Sequence, residues 1–214
     1  RFPDVKLLVL EKEPQLGGTC LRIGCIPSKA LLESSSHFEA ARLHVKHHGV
    51  VIDSVGLDLK TMQSRKEKIV GALAAGIAGL MKKNQVSVFR GLATLQESEA
   101  DVHVVAVKAE SQSVVRAKNV LIATGSKVAA LPGVTCDGAA IVTSTEALSF
   151  TEVPKRLIVI GAGAIGLELG SVWRRLGAEV EVLEFLPRIL PGMDSEIASA
   201  AQKILSQQGL HFRL

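Results

Sequence analysis

Residues 156–184, RLIVIGAGAIGLELGSVWRRLGAEVEVLE, carry the pattern that decides the fold. Arg156–Ile160 is a short apolar run, too brief for a helix and suited to a buried strand. A glycine-rich turn follows, a helix runs to about Leu176, Gly177 stops it, and Glu179–Leu183 forms a second strand ending on Glu184. Strand, helix and strand in this order mark a βαβ unit on a parallel sheet. Gly161-Ala162-Gly163-Ala164-Ile165-Gly166 sits directly after a strand and opens a helix, the context that a dinucleotide fingerprint requires. Gly161 permits the tight turn, Gly163 lets backbone approach a pyrophosphate, and Gly166 allows close packing of helix on strand, while the helix amino end faces phosphate charge. Glu184 stands where a carboxylate can bind both ribose hydroxyls, which favours NAD over NADP because an added phosphate would meet a negative charge. Arg188 is the only nearby base.

Toward the amino end, Val5–Leu10 reads as another buried strand, and it too ends on a glutamate, Glu11. KLLVLEKEPQLGG (6–18) and VEVLEFLPRILPG (180–192) share a strand, a terminal Glu and a short loop ending in Gly, an echo that two related nucleotide-binding domains explain. No glycine fingerprint precedes Glu11; it would lie before Arg1. Thr19–His48 reads as helical, Val50–Asp58 as irregular and Leu59–Lys83 as a long helix. Val86–Phe89 reads as the next strand, and Val102–Val107, Val114–Arg116 and Asn119–Ile122 as a small meander returning to the sheet. In NVLIATGS (119–126) the strand stops at Thr124-Gly125, where backbone can come close to a second stretch of cofactor. Leu210–Leu214 reads as a strand just starting, so both ends are expected to be cut in mid-domain.

LGGTCLRIGCIPSKALL (16–32) holds two cysteines five residues apart. In an ideal helix that spacing separates the Cα atoms by roughly 8 to 9 Å, beyond the ~7 Å limit of a disulfide. Any Cys20–Cys25 bridge must therefore distort the helix, most easily at Gly24 and Pro27. A tiny strained loop suits a bond that opens and closes rather than a staple. On spacing alone, a metal pair or two inert core thiols remain open.

GGTCxxxGCxPSK, the ATGS ending and GAGxIGLE, in this order, resemble the pyridine nucleotide-disulfide oxidoreductases over essentially the whole chain. The Ile26–Leu32 run is similar to the dihydrolipoamide dehydrogenase branch; glutathione, trypanothione and mercuric reductases usually show Val before the Pro, and the first two carry Lys where Ser28 stands. The resemblance implies an α/β chain of two Rossmann-like three-layer domains, both incomplete: 1–150 for FAD and 151–214 for NAD. It makes Cys20 the thiol that exchanges with the lipoyl dithiol and Cys25 the thiolate that lies against the flavin. Lys29 would reach the flavin and pair with Glu168, a cation that stabilises reduced-flavin charge and helps keep Cys25 ionised. Glu11 would bind the adenosine ribose, Thr124, Gly125 and Ser126 would contact FAD, and the Ala93 backbone would lie near the adenine. Gly161, Gly163, Ile165, Gly166, Glu168 and Glu184 would form the NAD side. The implied partners are dihydrolipoamide on a lipoyl domain of a 2-oxo acid dehydrogenase or glycine cleavage complex, and a second subunit in a homodimer. The implied compartment is bacterial cytoplasm or mitochondrial matrix.

The family's His-Glu acid-base pair belongs to a carboxy-terminal interface domain, and none of the six histidines here stands in a matching context. The isolated chain is accordingly expected to be inactive although its parent is an enzyme. The rival readings are a glutathione- or mercuric-type reductase, and a truncated nucleotide-binding fragment without activity.

Composition fits an ordinary globular chain: 214 residues, 47% apolar. The 25 basic and 21 acidic residues are interspersed, so the net charge of +4 gives nucleic-acid binding no support. Gly71–Met81 is far shorter than the ~20 apolar residues of a membrane span, and because the Arg1–Asp4 start runs straight into a strand-like segment no signal peptide is expected. Three cysteines do not make a secreted disulfide framework. No Cys or carboxylate completes a metal set with His37, His44, His47 and His48, so no metal is expected, and Cys136 matches no redox position.

Overall fold

The computed structural model describes residues 5–98 and 101–214; the Arg1–Asp4 start lies outside them. In chain order the elements are β1 (Leu8–Glu11), α1 (Gly18–Ile23), α2 (Cys25–Glu39), α3 (Leu59–Lys83), β2 (Ser87–Arg90), β3 (Leu92–Leu95), β4 (His103–Lys108) and β5 (Gln112–Ala117). They continue with α4 (Ser144–Ala147), β6 (Arg156–Ile160), α5 (Ala164–Leu176), β7 (Glu179–Leu183), α6 (Ser195–Gln207) and β8 (Leu210–Arg213). Packing divides the chain into two compact units, one of residues up to Arg22 with Val70–Lys127, the other of Ile23–Ile69 with Val128–Leu214. These units follow packing, whereas the division expected at 150/151 follows cofactor.

The second unit is built on a parallel sheet in the order β6-β7-β8, with Arg156 opposite Glu179 and Val180 opposite Leu210. β-branched Val180 and Val182 are fully buried, as the inner face of a covered parallel sheet demands. Helix α5 shares its core with them through Leu167, Leu169, Val172 and Trp173, and Leu31 of α2 joins the same cluster. Trp173 is fully buried; its ring lies 5.1 Å from that of Phe150, and its Nε1 donates to the Ala147 carbonyl at 3.2 Å. That bond satisfies the only polar atom of the largest core side chain, so its burial carries no unpaired donor. Ala147 is held in turn by α4, whose first turn is closed by a Thr143–Glu146 capping box. The buried ammonium of Lys66 donates to the Leu148 carbonyl at 2.8 Å, at the carboxyl end of that helix where positive charge is favoured.

The first unit contains a parallel pair, β1-β2, and an antiparallel meander, β3-β4-β5. Val104, Val105 and Val107 of the central strand β4 are buried, and Val107 is completely so.

Three readings are corrected. The helical run expected over Thr19–His48 is broken at Gly24, whose φ of −138° and ψ of −115° lie outside the helical region, and after Glu39 it loosens into a π turn (Ala40–His44) and a 3-10 turn (Val45–His48). Asn119–Ile122 forms no strand, and Leu121 is 90% exposed. The meander takes Leu92–Leu95 instead, paired with β4 from Leu92–Lys108 to Leu95–Val105. A branched apolar run favours a strand only where a ladder partner exists, and among the described residues Asn119–Ile122 pairs with no strand. Finally, β1 starts at Leu8 rather than Val5; the first bond to its neighbour runs from Ser87 N to Leu7 O at 3.1 Å. Among the described residues no helix is long and apolar enough to cross a membrane.

Candidate functional site

In the second unit, β6 delivers the chain into the glycine turn. Gly161 has φ +102°, a left-handed conformation that side chains resist, and a Cβ at Gly166 would lie 2.3 Å from the Gly161 carbonyl oxygen and 2.9 Å from Val159 Cγ1. The first turn of α5 can approach the strand only because position 166 is bare. A Cβ at Gly163 would meet nothing within 4 Å, so backbone there is open to a ligand. Gly163 is also the N-cap of α5 and offers no side-chain oxygen, leaving first-turn N–H groups for an anion. Ile165 stands exposed on that first turn.

Glu184 closes the other edge. Its Oε1 accepts from Leu186 N at 3.0 Å and its Oε2 from Ala162 N at 2.8 Å. These two amides, Leu186 first, hold its carboxyl below the usual glutamate range. Arg188 donates to the Pro191 carbonyl at 2.7 Å. The turn, the open helix end and a charged carboxylate at the strand end fit a dinucleotide with an unphosphorylated ribose.

The same unit assembles the second group of expected residues. Cys25 opens α2 and is exposed, and Pro27 follows within the first turn, where a missing N–H costs least. Lys29 Nζ lies 2.5 Å from Glu168 Oε1 on α5, and Ser28 Oγ lies 3.2 Å from Glu168 Oε2 and 3.1 Å from the Cys25 carbonyl. The Lys29 and Glu168 side chains are 59% and 30% exposed, so the pair contributes at most about 1 kcal/mol to stability. Its chemical value is a cation fixed in position. The amino end of α2 adds positive potential at Cys25, which favours a thiolate.

In the first unit Cys20 is exposed on α1, directly after Thr19. Thr19 Oγ1 accepts from Ser126 N and donates to Ser126 O, each at 3.2 Å, and a Cβ at Gly125 would lie 2.7 Å from Thr19 Oγ1. Helix start and the Thr124–Ser126 turn are thereby joined. Glu11 Oε1 accepts from Glu13 N at 2.9 Å; Glu13 binds Arg22 at 2.9 Å, and Arg90 donates to its carbonyl at 2.7 Å. No hydrogen bond joins Glu11 to Thr124, Gly125 or Ser126 among the described residues, and Ala93 pairs with Val107 in the meander.

Three contact residues escape a reading of the sequence: Thr19, Ser28 and Ala162. Ser28 leaves a usable signal, since a serine three residues after Cys25 reaches that residue's carbonyl and sits beside Lys29. Thr19 and Ala162 leave none, because their partners are distant in sequence. Among the described residues no group of three His, Cys, Asp or Glu side chains is arranged to hold a metal.

The family profile described as pyridine nucleotide-disulphide oxidoreductase matches residues 3–214. Mitochondrial dihydrolipoyl dehydrogenase of Pisum sativum is 48% identical over 98% of this chain and 41% of its own length. Dihydrolipoyl dehydrogenase of Cupriavidus necator is 50% identical over 94% of this chain and 42% of its own. The crystal structure of LpdA from Mycobacterium tuberculosis superposes with a TM-score of 0.88 at 25% identity, covering 99% of this chain and 46% of that one. The chain thus spans about two fifths of the length of the curated relatives it matches.

Proposed function

The chain belongs to the pyridine nucleotide-disulphide oxidoreductase family, and from that premise we propose that it is part of a flavoprotein that oxidises dihydrolipoamide to lipoamide and reduces NAD. The observation that carries the proposal is the Lys29–Glu168 pair, joined across 139 positions of sequence and set four residues beyond Cys25. In this reading residues 1–150 form the FAD-binding domain and 151–214 the NAD-binding domain.

Bound FAD and NAD supply the acceptors for two electrons; the chain supplies the thiols, the fixed charges and the nucleotide contacts. Cys20 and Cys25 form the redox disulfide, and Cys20 is the sulfur attacked by the substrate thiolate. Cys25 leaves as a thiolate, favoured by the amino end of α2 and by the Lys29 ammonium. The second substrate thiol then displaces Cys20, so that the substrate closes to a disulfide and the two protein sulfurs hold the electron pair; two protons leave the substrate thiols. Glu168 holds Lys29, whose positive charge would stabilise reduced flavin. Glu11, Ala93, Thr124, Gly125 and Ser126 would hold FAD. Gly161, Gly163, Ile165 and Gly166 would hold the NAD pyrophosphate, and Glu184 the ribose.

The relatives' names support a lipoyl substrate, and we extend this to lipoyl domains of 2-oxo acid dehydrogenase or glycine cleavage complexes, a homodimeric assembly, and a mitochondrial matrix or bacterial cytoplasmic setting. The test is turnover by the full protein carrying this sequence. NADH formation from dihydrolipoamide is expected, lost in C20S and C25S. Preferential oxidation of NAD(P)H with glutathione disulfide or Hg²⁺ overturns the substrate assignment.

A further inference from the structure

The loop after β7 folds back on the glycine turn and clasps it. Gly161 N donates to the carbonyl of Leu183, the last residue of β7, at 2.8 Å, continuing the β6-β7 ladder; from the loop, Glu184 Oε2 accepts from Ala162 N at 2.8 Å and Leu190 N donates to the Ala162 carbonyl at 2.9 Å. Ala162 is fully buried, and both its N–H and its carbonyl are bonded by this one loop. The return places Leu190 at φ +48°, a conformation uncommon for a residue with a side chain. Fully buried Ile189 beside it holds the loop down.

We propose that Glu184 is a positioning residue as well as a nucleotide contact: its Oε2 fixes the Ala162 amide and so sets the glycine turn in its phosphate-accepting form before any nucleotide arrives. This rests on the NAD-site reading above and adds a second task to the same carboxylate. The two tasks are compatible because each carboxylate oxygen has two lone pairs, one given to a main-chain amide and one left for a ribose hydroxyl. The consequence concerns specificity. Replacing Glu184 to admit a 2′-phosphate also unlatches the turn, so that exchange weakens binding of both nucleotides.

The experiment compares the wild-type chain with E184M, which keeps the stem but has no oxygen, with E184A as a second oxygen-free variant, and with E184Q, which retains one acceptor. Amide exchange at Ala162 without ligand is expected to speed about tenfold or more in E184M and E184A and to speed less in E184Q, whose single oxygen can still accept from Ala162 N only by giving up Leu186 N. Calorimetric titration then uses ADP and 2′,3′-dideoxy-ADP. The dideoxy ligand has no hydroxyl for the carboxylate, so a ribose-only role leaves its affinity equal in all variants. A positioning role weakens it about tenfold in E184M and E184A and by less in E184Q. Unchanged Ala162 exchange in the oxygen-free variants, or equal dideoxy-ADP affinity, overturns the proposal. Failure of the wild-type chain to bind ADP overturns the NAD-site reading instead, while the exchange measurement still decides the positioning role.

Discussion

Glu11 at the end of β1 and Glu184 at the end of β7 are seated by the same local device and then put to different use. Each carboxylate accepts the amide two residues further on, Glu13 N at 2.9 Å and Leu186 N at 3.0 Å. That bond depends only on a chain turning away from a strand, and the sequence echo between 6–18 and 180–192 contains it twice. Glu184 then takes the amide of Ala162 as well, within a turn held by β6. Glu11 makes no such second bond among the described residues, and its strand pairs in parallel with β2. A strand-end acid is thus a local feature of both units, and at Glu184 a glycine turn packed against it gives the acid a second main-chain partner.

The largest effect expected is on the core that α5 shares with the β6-β7-β8 sheet. Trp173→Ala should cost about 3–5 kcal/mol, read as lost amide-exchange protection across β6, β7 and β8 with protection retained in β3, β4 and β5. Equal loss in both sheets would break the contrast. Next, Gly166→Ala should cost about 1–3 kcal/mol, because its Cβ meets backbone that cannot yield. Gly125→Ala should cost about 1–2 kcal/mol through its left-handed backbone, since the Thr19 side chain it meets can move. Chemical denaturation orders the two, and a reversed order removes the claim that the 161–166 turn is the tighter one.

A smaller effect follows from charge. The Glu184 carboxyl is held below the ordinary glutamate range, so its contribution is complete above that range and is lost as pH falls through the lowered value. Ala162 exchange protection, followed on acidification, should decline in that window in wild type and be flat in E184Q. The smallest stability change is Lys29→Met, below about 1 kcal/mol, accompanied by slower alkylation of Cys25 at neutral pH. Unchanged alkylation would separate Lys29 from the thiolate.

Much of the fold is legible in the sequence. β6 and β7 occupy the strands read from RLIVI and EVEVL, and α5 ends at Leu176 before Gly177, because apolar runs bounded by glycine and a βαβ rhythm are local signals. The pairing of Lys29 with Glu168 is legible only through family resemblance, and the two side chains do meet. Asn119–Ile122 misleads because its composition suits a strand that the packing leaves unpaired, and Leu92–Leu95 escapes notice because LATL shows no alternation. The short capped helix α4 and the amphipathic α6 also escape it, although Thr143 and Asp194 mark their starts.

By itself the sequence determined the βαβ unit, the glycine turn and the strand-end acids. All of these depend on backbone preferences and on side chains within a few residues of one another. Tertiary structure alone decided that Ser28 shares Glu168 with Lys29, that Thr19 grips Ser126, and that Glu184 holds Ala162. Hydrogen bonds between groups separated by 22 to 140 positions have no periodicity to betray them. They form only after the core has brought the chain segments together, and there an unpaired buried amide would cost more than the bond itself contributes.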